Sequence, residues 1–452
     1  MARTHQTWRA VGRAVCIISM ILQADSAGAQ ESPARSVVDA YNASAQDLFK
    51  TFSEAPGNIV FSPYSIGTAM AMALSGSRGA TEQEMLAVLK HRLKRPEIDT
   101  ANGNIIAVLN GYDRSAGALT CPRGLTLNGP RCECPPAASN ARERCSAGAA
   151  TPPASAKLLT ANALMLTSKG GLVSKDYTAL LRDTYAAEVF QNAGLDAING
   201  WVSRKTEGKI DKILDALDPL SAAVLLNAVY FKSRWASPFT ERATSQQAFN
   251  LSRSSQIRVP TMAQTERFAL TRQPGYRAIR LPYAIRDIGM IVVLPDEIDG
   301  LADVTRRLNA TELPALLAAL RNNTSLVRLE LPRFKTEYRA NLIPPFRQAG
   351  LKLALDERRA DFSGITGRPG RPTELYLSQI LHSAVIDVTE ESTEAAAVTA
   401  IEAVRPASAS QEPKVETFSV DRPFQFYIVD DATGAILFQG RIADPRQAMS
   451  AR

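Results

Sequence analysis

Seven strand-like runs that never alternate one for one with helices constrain this chain most. They are residues 159–166, 222–231, 289–294, 327–331, 380–388, 424–429 and 435–441, each carrying aliphatic or aromatic residues at strand length. A doubly wound parallel protein would place a helix after each strand, and that rhythm is missing here. The last two runs flank the turn-rich residues 430–434 and read as a hairpin. Residues 81–89, following Gly79, read as a helix, with Thr81 as N-cap and Glu84 completing a capping box. Large antiparallel sheets with helices gathered outside them give an α+β architecture without internal repeats.

The length of 452 residues and the 45% hydrophobic content suffice for a sizeable core. The formal net charge of +7 implies a mild attraction to polyanions. No tail or stripe is basic enough to indicate nucleic-acid binding.

The first 29 residues read as a signal peptide. Arg3, Arg9 and Arg13 form a positive region, residues 14–22 (AVCIISMIL) an apolar core, and Ala27-Gly28-Ala29 a small-residue cleavage site. The apolar run is too short for a stable membrane span. Residues 30–452 are therefore expected as one secreted or periplasmic domain, and heavy Ala and Arg usage hints at a bacterial source.

Past the signal, the cysteines cluster as Cys121, Cys132, Cys134 and Cys145. Cys132 and Cys134, with one residue between them, pair poorly with each other, so two bridges would join each to an outer cysteine. A zinc site is the alternative, although C-x-C spacing with no nearby His argues against it. Residues 111–153, rich in Pro, Gly, Ala and Asn, read as an inserted surface loop.

Enzyme signatures are missing. The mature chain keeps only His91, in a basic run, and His382, in an alternating strand, and it has no G-x-S-x-G to supply a nucleophile. H-E-x-x-H, a P-loop and G-x-G-x-x-G after a strand are also missing, so binding is favoured over catalysis and no cofactor is expected.

Ordered blocks then carry a family resemblance. NIVFSPYSIGTAMAMALSGSRGAT (58–81), INGWVSRKTEGKIDKIL (198–214), LLNAVYFKSRW (225–235), LPRFK (331–335), ADFSGIT (360–366), LHSAVIDVTEESTEAAAVTA (381–400) and VDRPFQFYI (420–428) resemble those of the serpin family. The resemblance spans the mature chain except the cysteine-rich insertion. It implies three β-sheets surrounded by helices, an exposed reactive-centre loop at about 390–417, and inhibition of a serine endopeptidase by cleavage and loop insertion. It also matches Ser62, Ser65, Asn227 and His382 to a polar cluster where the central sheet parts, and Trp201 to an aromatic at the top of that opening. The loop hinge by this match is Glu390, Glu391, Ser392, Thr393, Glu394, Ala395, Ala396, Ala397 and Thr399. Ser392 stands where inhibitory members usually carry Gly, a departure that bears on hinge bending. The basic run Lys90, Arg92, Lys94 and Arg95 lies near where some members bind polysaccharides; a solvated surface run is the competing reading.

The loop's own residues bear on the same question. Read with period two, Thr393, Ala395, Ala397, Thr399, Ile401 and Ala403 share one face, and Glu394, Ala396, Val398, Ala400, Glu402 and Val404 the other. Both charges fall on one face, as a strand that slips into a sheet requires. A Thr393-capped surface helix fits the composition as well. Usual spacing from the hinge places cleavage at Pro406-Ala407, just after Arg405, but Arg-selective proteases cut poorly before Pro. The productive bond is therefore expected between Val404 and Ser410, at Ala407 or Ala409 with Ser408 between them. That favours elastase- or subtilisin-like targets over trypsin-like ones, met by a monomeric inhibitor. The alternatives are a non-inhibitory carrier, chaperone or storage protein of the same fold, and a hydrolase.

Overall fold

A computed structural model provides the fold. It describes residues 32–114, 126–128, 131–133, 148–149, 156–167, 172–216, 221–285, 287–308, 311–321, 324–368, 375–390, 414–446 and 449–451. The leading helices are α1 (Pro33–Phe52), α2 (Pro63–Gly76), α3 (Gly79–Val88), α4 (Arg95–Arg114), α5 (Lys175–Tyr185) and α6 (Leu195–Lys205). The strands begin with β1 (Ile59–Phe61), β2 (Thr126–Asn128), β3 (Arg131–Glu133), β4 (Gly148–Ala149), β5 (Ala156–Leu166) and β6 (Glu188–Gln191). They continue as β7 (Ala223–Ser233), β8 (Ser245–Ser252), β9 (Ser255–Gln273), β10 (Tyr276–Pro282), β11 (Ile288–Pro295) and β12 (Thr324–Pro332). The last are β13 (Phe334–Asn341), β14 (Leu377–Val388), β15 (Glu416–Ser419), β16 (Phe424–Asp430), β17 (Ile436–Ile442) and β18 (Met449–Ala451).

Every residue of α2 is buried, so this helix needs walls on all sides. Its composition of Ala, Gly, Ser and Met allows that, because small residues let neighbours approach closely. At Gly67 a Cβ would lie 2.3 Å from the Tyr41 ring of α1. Pro63 opens the helix at a position whose N–H is not needed, and Ser62 caps it by accepting from Ser65 N at 3.0 Å. The helix touches β7 on one side and β17 on the other, and it thereby joins the two large sheets into one core.

One sheet has six strands in the order β18-β13-β14-β7-β5-β6. The other follows the path β1-β17-β16-β11-β10-β9-β12-β15, with β8 paired to β9. Long β9 serves three neighbours in turn, β8, β12 and β10, which makes the path continuous. A third, small sheet, β2-β3-β4, lies within the region read as an insertion. The α+β arrangement of three β-sheets with helices outside them, expected from the sequence, is thus present. All seven strand-like runs are strands, and β16–β17 forms the expected hairpin, with Gly434 at φ +78° in its turn.

Two local readings fail. Helix α3 begins at Gly79 with Arg78 as N-cap, so Thr81 lies within its first turn. The capping box does not form because both side chains find partners far along the chain. Thr81 Oγ1 accepts from Asp361 N, and Glu84 Oε1 accepts from Lys352 N and Leu353 N. His91, read as part of a surface run, packs edge-on against buried Tyr41 at 5.5 Å between ring centroids. Burial pushes its pKa down to about 4.

Candidate functional site at the seam of the six-stranded sheet

The six-stranded sheet is built around a joint. β13 pairs antiparallel with β14, and β5 pairs antiparallel with β7. Between these pairs, β14 and β7 lie parallel, from Leu377 beside Ala223 to Val385 beside Tyr230. The chain leaves β14 through Thr389 and Glu390 and returns at Lys414. A strand folding back from Glu390 along this seam would run antiparallel to both neighbours. One parallel ladder would then become two antiparallel ones, which are slightly more stable per residue.

A buried polar bolt crosses the seam on its inner face. His382 of β14 sits opposite Asn227 of β7, and Asn227 opposite Asn162 of β5, so three strands present polar side chains at one level. Ser62 N donates to His382 Nε2 at 3.3 Å, which leaves the ring proton on Nδ1. Nδ1–H faces Asn227 Oδ1 at 2.5 Å. Asn227 Nδ2 in turn donates to Ser65 O (3.1 Å), Ser65 Oγ (2.5 Å) and Asn162 Oδ1 (2.5 Å). His382 and Asn227 are each 1% exposed. Burial drives the His382 pKa down to about 3, so the ring is neutral at physiological pH. The structure therefore brings Ser62, Ser65, Asn227 and His382 together, and it adds Asn162.

The mouth of the seam is clasped where the chain departs. Trp235, just past β7, stacks on Tyr283 at 4.5 Å and donates its indole N–H to Thr389 O at 3.0 Å. Phe239 N donates to Glu390 O at 3.0 Å. The Glu390 carboxylate accepts from Arg333 Nε at 2.6 Å and pairs with its guanidinium at 2.5 Å, and Thr244 Oγ1 also donates to it. Burial pushes this carboxyl up, but the Arg333 and Thr244 hydrogen bonds outweigh that and hold it below the usual range.

Trp201 stands apart from the bolt. It lies on α6 against Phe190, ring centroids 5.3 Å apart, in a cluster with Val224, Leu226, Ala228 and Tyr230. Strand alternation explains this: the even-numbered residues of β7 face α6, whereas Asn227 faces α2. The aromatic at the opening is Trp235. Its signal was present in the block LLNAVYFKSRW, whose Trp follows a strand that is apolar from Ala223 to Phe231 apart from Asn227 and the Tyr230 hydroxyl.

In the basic run, Lys90 pairs with Asp47 at 2.7 Å and Arg95 with Glu82 at 3.4 Å, while Arg92 and Lys94 are exposed. Glu391, Ser392 and the rest of the hinge and reactive-bond region through Ala409 lie outside the described residues. So do Cys121, Cys134, Cys145 and the N-terminal segment. Cys132 lies on β3, whose backbone pairs with β2 and β4.

A family profile described as serpin (serine protease inhibitor) matches residues 39–445. An uncharacterized serpin-like protein from Thermococcus kodakarensis is 32% identical over 425 residues, covering 92% of this chain and 87% of the relative. Human leukocyte elastase inhibitor is 30% identical over 422 residues, covering 89% and 97%. Among solved structures, human thyroxine-binding globulin superposes with a TM-score of 0.73 at 24% identity, covering 92% of this chain and 100% of its own. Arabidopsis AtSerpin1 in its native stressed conformation has a TM-score of 0.73 at 23% identity, covering 91% and 98%.

Proposed function

The chain belongs to the serpin family, and we propose that it inhibits an elastase- or subtilisin-like serine endopeptidase as a suicide substrate. The protease cuts between Val404 and Ser410, and the freed segment starting at Thr393 enters the seam between β7 and β14. The observation that carries this reading is the parallel β7–β14 joint, with the chain leaving its mouth at Glu390. The name of one relative, leukocyte elastase inhibitor, supports the choice of target class. The signal-like N-terminus supports an extracytoplasmic target.

Insertion of about a dozen residues adds on the order of a dozen backbone hydrogen bonds at roughly 0.5–1.5 kcal/mol each. With apolar burial, the drive is on the order of 10–20 kcal/mol. That rivals the whole stability of a typical domain, about 5–15 kcal/mol, so an attached protease can be dragged and distorted. Before cleavage, the bolt and the clasp hold the seam shut. Afterwards the small face of Thr393, Ala395 and Ala397 passes between the strands without burying a charge.

Incubation with a panel of elastase-, subtilisin- and trypsin-like proteases tests the reading. A denaturant-resistant complex with the first two, and a new N-terminus within 405–410, is expected. Cleavage that leaves every protease active and uncomplexed would overturn it and favour a carrier or storage role.

A further inference from the structure

At one end of the nine-stranded sheet β1 and β17 pair, with Ile59 beside Arg441, and both lead on to the six-stranded sheet. Just past β1, Ser62 N donates to His382 Nε2 of β14 at 3.3 Å. Just past β17, residues 443–446 form a fixed corner. Ala443 N and Asp444 N donate to Asn58 Oδ1 at 2.8 and 3.0 Å, and Asn58 Nδ2 donates to Asp444 O at 2.8 Å. Arg446 pairs with Asp444 at 2.8 Å. Beyond this corner β18 lies parallel to β13 on its outer edge, with Glu337 beside Met449, Tyr338 beside Ser450 and Arg339 beside Ala451.

The β13–β14 pair is therefore gripped twice from the same end of the other sheet, at the seam through Ser62 and at the outer edge through β18. The outer grip is made of backbone. Leu342 N donates inward to Ile380 O at 2.7 Å, so strand alternation turns the backbone groups of Glu337 and Arg339 outward. In a parallel ladder the residue beside Tyr338 bonds to both of its neighbours. Ser450 N–H thus donates to Glu337 O, and Ser450 O accepts from Arg339 N–H. The grip is also short, three residues along an eight-residue strand at a chain terminus, where pairing opens and closes readily.

We infer that β18 is a releasable strap that holds β13 and β14 in place and so slows opening of the β7–β14 seam. The seam admits a strand only after its two sides part by one strand spacing, about 4.8 Å. An outward shift of β13 and β14 has to carry β18 along or break its ladder, and the Asn58 corner fixes where β18 begins. Once β18 frays, the outer edge is free and β14 can tilt away from β7, a local opening that leaves the rest of the fold intact. The strap rests on the proposed loop insertion only for its consequence, that a chain without it admits the loop sooner. Seam opening itself needs no protease.

Native-state hydrogen exchange without protease tests this on the parent, a chain truncated after Arg446, Ser450→Pro and Ser450→Ala. Truncation removes the strap. Ser450→Pro keeps the tail but deletes the N–H that Glu337 O accepts, whereas Ser450→Ala keeps the backbone pairing. Amides shared by β7 and β14 should exchange roughly tenfold faster or more in the truncated chain and roughly threefold faster or more in Ser450→Pro. Ser450→Ala should match the parent. Amides of the β10–β11 pair, inside the nine-stranded sheet, should change little in any variant. Seam amides as slow as the parent's in the truncated chain or in Ser450→Pro would overturn the inference. An equal rise in β10 and β11 would overturn it as general destabilisation, and a Ser450→Ala chain as fast as Ser450→Pro would overturn it as a side-chain effect. Ser450→Pro decides the matter if the truncated chain does not fold. A protein that traps no protease yet shows these rates would lose the proposed inhibition and keep the strap.

Discussion

Replacing Asn227 with Ala removes the hub of the polar bolt without touching the backbone of β7. Four contacts vanish, with His382 Nδ1, Ser65 O, Ser65 Oγ and Asn162 Oδ1. The His382 N–H and the Asn162 carbonyl are left facing a cavity at a site 1% exposed. At about 1–3 kcal/mol for each stranded group, the change destabilises the closed seam by about 2–6 kcal/mol. Even the lower figure raises an opening equilibrium about thirtyfold. Hydrogen exchange resolves where this happens. Amides shared by β7 and β14 should exchange at least thirtyfold faster in Asn227→Ala, while those of the β16–β17 hairpin in the other sheet should change little. Seam amides as slow as in the parent would refute the bolt, and an equal rise in both sheets would show a general packing residue instead.

The clasp makes a second prediction. Arg333→Ala strands a Glu390 carboxylate that is 4% exposed, and because the Arg333 side chain is 40% exposed the loss should be about 1–3 kcal/mol, read from the urea midpoint. A parent-like midpoint would count against the clasp. The bolt also predicts a pH dependence. The folded-state pKa of His382, about 3, lies below its ordinary 6.5, so the folded protein binds fewer protons than the unfolded one. Stability from this group is complete above pH 6.5 and falls by about 1.4 kcal/mol per pH unit toward pH 3. His91, also lowered, contributes to parent and His382→Gln alike. Between pH 7 and 4.5 the parent should therefore lose about 2–3 kcal/mol more than His382→Gln, and equal losses would contradict the assignment. In the loop, Thr393→Arg puts an unpaired charge on the face that must enter, at several kcal/mol. The variant should be cleaved as a substrate with little complex, whereas Glu394→Arg should trap protease nearly as the parent does. Mass spectrometry of the mature protein should show Cys121, Cys132, Cys134 and Cys145 oxidised, and four free thiols would refute that reading.

The strands of the two large sheets were legible because burial on both faces leaves nearly unbroken apolar runs, as in β7 and β11. β9 escaped notice because Arg258, Glu266 and Arg267 interrupt its pattern, and one nineteen-residue strand serves three neighbours with different exposed faces. The polar bolt could be assembled only through resemblance. Ser62, Asn162, Asn227 and His382 are ordinary residues in the sequence, and register across three strands is what makes them a unit. Asn162 was missed for that reason. Trp201 was misplaced because a lone Trp does not reveal which face of a sheet it covers. The capping box failed because Thr81 and Glu84 were judged by local spacing, while backbone donors more than 260 residues away took both side chains.

Loop insertion into the β7–β14 seam is tested most directly by the stability of the chain after a single cut. Limited proteolysis within residues 404–410, followed by thermal unfolding of the nicked and intact proteins, compares the two states. With a drive on the order of 10–20 kcal/mol and about 1 °C per kcal/mol for a protein of this size, the nicked protein should melt roughly 10–20 °C above the intact one. A nicked protein that melts at or below the intact temperature would contradict insertion and, with it, the proposed mechanism.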